Sequence, residues 1–125
     1  MGAKILIVDD EPEIPNALRG VLEPLGYEVK LCESGLDVID ALRSYQPGLM
    51  IMDVMLPGVD GYTLVSRISD GEDAELAGMP IIVMSALETS RCMFERFPQV
   101  AAFFAKPFSI EELSEAVETV FAKKE

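Results

Sequence analysis

Residues 49–61 read LMIMDVMLPGVDG, and the order of chemistry along them decides the fold. Leu49 to Met52 is a short apolar run without alternation, and it stops at an acid, Asp53. Strands covered on both faces read this way, as in a parallel sheet. Pro57-Gly58-Val59-Asp60-Gly61 then reads as a turn followed by a helix N-cap. Tyr62 to Ser69 places Leu64, Val65 and Ile68 on one side of a helix. The block is therefore strand, turn, helix.

The same unit recurs on either side. Toward the N-terminus, Lys4 to Val8 (KILIV) is a second apolar run, closed by Asp9-Asp10. Ile14, Leu18, Val21, Leu22 and Leu25 follow at helical spacing and are expected to face inward, with Pro12 and Pro15 in the first turn and Gly26 as the stop. Tyr27 to Cys32 alternates apolar and polar, as an edge strand should. Ser34-x-x-Asp37 reads as a capping box for a helix carrying Val38, Ile39 and Leu42, closed before Pro47-Gly48. Toward the C-terminus, residues 70–78 read as an acidic loop, and Pro80 to Met84 as a buried strand ending at Ser85. Leu87 to Phe97 is a weakly patterned helix stopped at Pro98. Val100 to Phe104 is a fifth strand, broken by Lys106-Pro107. Ser109-x-x-Glu112 opens a last helix with Leu113, Val117, Val120 and Phe121 inward. Five strands alternating with five helices make an α/β fold: a single doubly wound, five-stranded parallel sheet with right-handed crossovers and helices on both faces. Ligands of such folds bind outside the carboxyl ends of the strands, where strand order reverses.

Composition narrows the chemistry. The 125 residues suit one domain; 50% are hydrophobic and 26% charged, which is ordinary for a globular chain. Ten Lys and Arg face 22 Asp and Glu, a net charge of −12, so nucleic acid and anionic membranes are not expected as direct partners. No run approaches the ~18 apolar residues of a membrane span. There is no histidine, which excludes a Ser-His-Asp triad, His-bound metals and imidazole acid–base chemistry. Cys32 and Cys92 lack CxxC spacing and read as reduced, buried thiols of a cytoplasmic protein.

Applied to this chain, the strand-end rule gathers Asp9, Asp10, Asp53, Ser85 and Lys106 on one edge. Each alone has an ordinary explanation: Asp10 as a solvated cap, Ser85 as a turn residue, Lys106 as a surface charge. Together they do not, because like charges ~4 Å apart repel by roughly 1 kcal/mol in water and ~4 near a protein surface. Three carboxylates without histidine need a cation, and hard oxygen ligands with room for water describe Mg²⁺.

Over essentially its whole length the chain resembles the receiver domains of bacterial two-component response regulators. The matching residues are Asp9-Asp10 after ILIV, Asp53 with Pro57 and Gly61 in MDVMLPGVDG, Ser85-Ala86 after PIIVM, and FxxKPF ending at Phe108. The resemblance implies a flavodoxin-like strand order 2-1-3-4-5 and a cis Lys106–Pro107 bond. It implies that Asp53 is the phosphoacceptor, taking a phosphoryl group from a histidine kinase or histidine phosphotransfer protein. Mg²⁺ would be held by Asp10, Asp53 and the backbone carbonyl of Met55, with Asp9 acting through a water. Lys106 and Ser85 would contact phosphoryl oxygens. The modified domain would signal to a downstream protein or output domain through helix four, strand five and helix five, a face that would also admit a homodimer. Ser85 and Phe103 would be the switch residues. Phe103, lacking the hydroxyl of the commoner Tyr, is expected to favour the inward rotamer.

Departures from the family pattern carry their own expectations. Met55 and Leu87, two residues after Asp53 and Ser85, are apolar and cannot orient an attacking water, so self-dephosphorylation should be slow. Phe97-Pro98-Gln99 replaces the usual Gly-Ala before the last strand. Phe94, Phe97, Phe103 and Phe104 crowd the output region, and any exposed one would mark a docking anchor. Residues 1–125 are expected to be a receiver domain alone, with no output domain in the chain, and not a turnover enzyme. The main alternative is a phosphorylation-independent pseudo-receiver acting as a protein-interaction scaffold. A flavodoxin-like electron carrier is disfavoured, because Asp9-Asp10-Glu11 would repel the FMN phosphate. A haloacid-type phosphatase would want an Asp where Met55 stands.

Overall fold

The computed structural model describes residues 3–56, 59–70, 76, 78–86 and 91–124. Its strands are β1 (Lys4–Val8), β2 (Glu28–Cys32), β3 (Leu49–Asp53), β4 (Ile81–Ser85) and β5 (Val100–Ala105). They pair in parallel in the order β2-β1-β3-β4-β5, the flavodoxin-like order that the resemblance implied. The helices are α1 (Glu13–Leu22), α2 (Val38–Tyr45), α3 (Gly61–Asp70), α4 (Arg91–Glu95) and α5 (Ile110–Lys124). Among the described residues, no helix is long and apolar enough to cross a membrane.

The unbroken apolar runs are explained by the two cores. Successive strand residues point to opposite faces. Leu6, Val8, Met50, Met52, Ile81, Val83 and Phe103 pack under α2, α3 and α4, while Ile5, Ile7, Leu49, Ile51, Ile82 and Met84 pack under α1 and α5. Every residue of β3 and β4 is buried, whereas β2, on the sheet edge, alternates. Leu64, Val65 and Ile68 of α3 and Leu113, Val117 and Val120 of α5 are buried as their spacing predicts.

Several local expectations are corrected. Val21 and Leu25 are 36% and 52% exposed rather than inward. The buried stripe of α1 is Pro15, Leu18 and Leu22, and Val21 lies on its flank. Leu25 falls in a 3₁₀ turn (Glu23–Leu25) where the 3.6-residue period is lost, before Gly26 reverses the chain at φ +100°. Ser34 caps another 3₁₀ turn, Gly35–Asp37, through Leu36 N–H (3.2 Å), and α2 starts only after it. Cys32 is buried but Cys92 is exposed, because Phe94, two residues on, takes the inward side of α4. Of the helix expected over Leu87 to Phe97, residues 87–90 lie outside the described residues, as do 71–75 and 77 of the acidic loop. The exit of α4 is closed by side-chain bonds: Ser69 Oγ donates to Gln99 Oε1 (2.8 Å), and Gln99 Nε2 donates to the Leu76 carbonyl (2.5 Å).

Gly61 is required by close packing. A Cβ there would stand 2.9 Å from the Cα and the carbonyl oxygen of Val54, in the segment leaving β3. Backbone cannot yield as a side-chain tip can, so Gly61→Ala should displace α3 from the strand end. Overpacking costs about 1–3 kcal/mol, which a drop in urea midpoint would register. Gly20, exposed in α1, is the contrast, because a Cβ there would meet no atom within 4 Å. Gly20→Ala should raise stability by about 0.5–1 kcal/mol, the helix-interior difference between the two residues.

Candidate functional site

The order of strand addition reverses between β1 and β3, and the carboxyl ends of these parallel strands deliver the acids. Asp9 continues the ladder beyond β1, its N–H donating to the Cys32 carbonyl (3.0 Å). Its side chain is 1% exposed, and Oδ1 accepts from Glu11 N–H (3.0 Å). Asp10 is exposed. Asp53 is the last residue of β3 and is 5% exposed, yet it opens onto a cleft of about 700 Å³. Asp53 Oδ1 accepts from Met55 N–H (2.9 Å), and Oδ2 is paired with Lys106 Nζ. Lys106 directly follows β5 and is anchored by its N–H to the Ser85 carbonyl (2.7 Å). The Lys106–Pro107 bond is cis. Ser85 ends β4 and is 1% exposed.

Asp10, Glu11, Asp53, Asp60 and Lys106 line the cleft, with Met55 and Ala86 beside them. Asp9 and Ser85 lie behind that lining. Burial pushes the Asp9 carboxyl up from its ordinary range, and the neighbouring Asp53 and Asp10 charges push the same way; Glu11 N–H and Lys106 oppose them. Among the described residues, Lys106 is the only basic side chain lining the cleft. The surplus negative charge is an arrangement that a cation completes.

Among the described residues, no three Asp, Glu, Cys or His side chains are grouped closely enough to hold a metal by themselves. A hard dication that keeps several waters needs only one or two carboxylates. Asp10, Asp53 and a backbone carbonyl fit that requirement.

Glu11 and Asp60 are cleft residues that the sequence reading did not assign. Glu11 extends the acidic run after β1. Asp60 reads first as the cap of α3, where its carbonyl accepts from Leu64 N–H (3.0 Å) and Oδ2 from Thr63 Oγ1 (3.2 Å). Met55 is 65% exposed at the cleft, and Leu87 lies outside the described residues. Phe103 is 6% exposed and sits in the core beside Phe94, while Phe97 and Phe104 are half-buried. None of the four is an exposed anchor; the exposed apolar side chain of α4 is Met93.

A family model for the response regulator receiver domain matches residues 5–118. The chain belongs to that family. Response regulator Rre1 of Synechocystis sp. is 30% identical over 123 residues, covering 97% of this chain and 52% of that protein. The chain spans about half the length of the curated relatives it matches. The receiver domain of sensor histidine kinase PA1611 from Pseudomonas aeruginosa, solved with a magnesium ion coordinated in its active-site cleft, superposes with a TM-score of 0.81 at 27% identity, covering 98% of this chain and 99% of that one. Response regulator TrrA from Thermotoga maritima, solved in complex with Mg(2+)-BeF, superposes at 0.80 with 28% identity, covering 96% and 99%. This receiver domain is thus a signalling module of two-component systems.

The receiver's cleft makes a direct test of charge balance. Lys106→Met leaves the buried Asp53 carboxylate without its cation and should lower stability by about 1–3 kcal/mol in magnesium-free buffer. Adding Asp53→Asn to it should recover most of that loss, because the orphaned charge is gone. Urea midpoints of the single and double variants measure both.

Proposed function

We propose that this receiver is a phosphorylation switch whose acceptor is Asp53. The observation that carries the proposal is the way Asp53 is held: one oxygen on Met55 N–H, the other against Lys106, at the floor of an open acidic cleft. An ionised carboxylate is already a nucleophile and needs no general base, which suits a chain without histidine. An Asp53 oxygen attacks the phosphorus, the P–N bond to the donor's phosphohistidine breaks, and that electron pair returns to the imidazole. Lys106 and Ser85 stabilise charge on the phosphoryl oxygens, so catalysis is positioning plus neutralisation.

Asp10, Asp53 and the Met55 carbonyl would hold Mg²⁺, with Asp9 reaching it through a water. Bound there, the ion supplies positive charge against the carboxylates and the incoming phosphoryl group. The magnesium in the PA1611 receiver and the Mg(2+)-BeF in TrrA support this reading. The donor is a histidine kinase or histidine phosphotransfer protein in the cytoplasm. The modified Asp53 gains charge and acceptor oxygens, draws Ser85 toward it, and alters the face of α4, β5 and α5 that meets an output domain, a partner protein or a second copy.

Acetyl phosphate with Mg²⁺ should add one phosphoryl group to the intact mass, and Asp53→Asn should abolish the gain. An unmodified wild-type mass would instead favour the phosphorylation-independent scaffold. Met55→Glu should shorten the phosphoryl lifetime roughly tenfold, less than the 10²–10⁴ of a fully positioned base. A lifetime equal to that of the wild type would remove Met55 from the account.

A further inference from the structure

Phe103 is the buried aromatic of β5, and the contact that closes over it comes from α4. Its ring lies 6.3 Å from that of Phe94 on the inner side of this helix. From the outer side the Arg91 guanidinium lies 4.8 Å from the Phe103 centroid. Arg91 Nη1 also donates to the Phe103 backbone carbonyl (3.4 Å) and lies 3.7 Å from Glu95 Oε2, one turn along α4. One planar cation therefore touches the ring and backbone of the same strand residue while tied to its own helix. Arg91 and Phe103 also line one surface pocket of about 490 Å³ with Phe104, Phe108, Ser109 and Glu112.

The position of Phe103 in the sheet gives this contact a consequence. Ser85 ends β4, and its carbonyl accepts from Lys106 N–H. Phe103 stands opposite Val83 in the β4–β5 ladder. A shift of Ser85 toward Asp53 would reach Phe103 through the ladder, and with it the ring and carbonyl that Arg91 touches.

We propose that Arg91 is a latch: it keeps Phe103 buried, binds the start of α4 to β5, and carries the state of the cleft to the outer surface of α4. Arg91 is a positioning residue in this scheme and takes no part in phosphoryl transfer. A lysine there would keep the charge but lose the planar guanidinium that lies over the ring while Nη1 reaches the carbonyl. The holding role stands on the contacts alone; the transmitting role rests on the proposal that Asp53 is the phosphoacceptor.

Nuclear magnetic resonance of the full chain tests both roles. In the unmodified protein, Arg91→Ala should raise the ratio of displaced to buried Phe103 ring by roughly 2- to 30-fold, the range that a cation–π contact spans. The readout is loss of ring contacts to Phe94, with Arg91→Lys intermediate and circular dichroism unchanged. Unaltered Phe103 ring signals in Arg91→Ala would overturn the latch. For transmission, the probe is beryllium fluoride with Mg²⁺, a phosphoryl-like group. The methyl of Met55 reports the cleft and that of Met93 reports α4, both being exposed. Both should shift in the wild type; in Arg91→Ala, Met55 should still shift while the Met93 response shrinks. An undiminished Met93 response would overturn transmission. A silent Met55 in the wild type would count against the cleft reading itself and overturn transmission with it, leaving the holding role to be decided by the Phe103 signals.

Discussion

Like charges crowd the carboxyl edge of this sheet, and the Lys106–Asp53 ion pair is what makes the crowding tolerable. Asp9 and Asp10 leave β1 while Asp53 ends β3, its neighbour in the sheet, so parallel pairing itself forces the carboxylates together. The opposing amine comes from the end of β5, two strands away from β3. Asp53 is nearly buried, and a buried charge is retained only when paired and hydrogen-bonded. It has both: Lys106 on one oxygen and Met55 N–H on the other. Asp9 is deeper still, and burial pushes its carboxyl up, with the Asp53 and Asp10 charges acting the same way.

The rest of the architecture keeps those strand ends in place. Apolar side chains leave both faces of the sheet, so helices clamp it from two sides and the ends of β3 and β4 cannot drift apart. Gly61 lets α3 start against the backbone of Val54 just beyond Asp53. The side-chain bonds of Gln99 join α3, Leu76 and the approach to β5. In a frame clamped this way, the proposed cation and phosphoryl group would act on their surroundings through the strand ends that line the cleft. β5, paired with β4 up to Ser85, carries Phe103, on which Arg91 of α4 lies.

The elements were legible because each is a local pattern. The runs KILIV, LMIM and PIIVM read as covered strands, and Leu64, Val65 and Ile68 read as one helical face. Misreadings arose where the period breaks. Leu25 keeps helical spacing in sequence but falls in a 3₁₀ turn, and Ser34 caps a 3₁₀ turn ahead of α2. Asp60 read as a helix cap and is one, and its second place beside the cleft carries no separate signal in a single sequence. Cys92 read as buried from its residue type alone, whereas its exposure follows from which side of α4 Phe94 takes.

Sequence alone determined the α/β alternation, the two-sided burial of the strands and the placement of acids at strand ends, because periodicity and punctuation act over a few residues. Tertiary structure decided that Asp9 is buried while Asp10 meets the cleft, that Lys106 reaches Asp53, and that Arg91 lies on Phe103. Those contacts join residues far apart in the chain or on separate elements. Their distances depend on strand order, helix rotation and side-chain direction, none of which a local pattern of residue types contains.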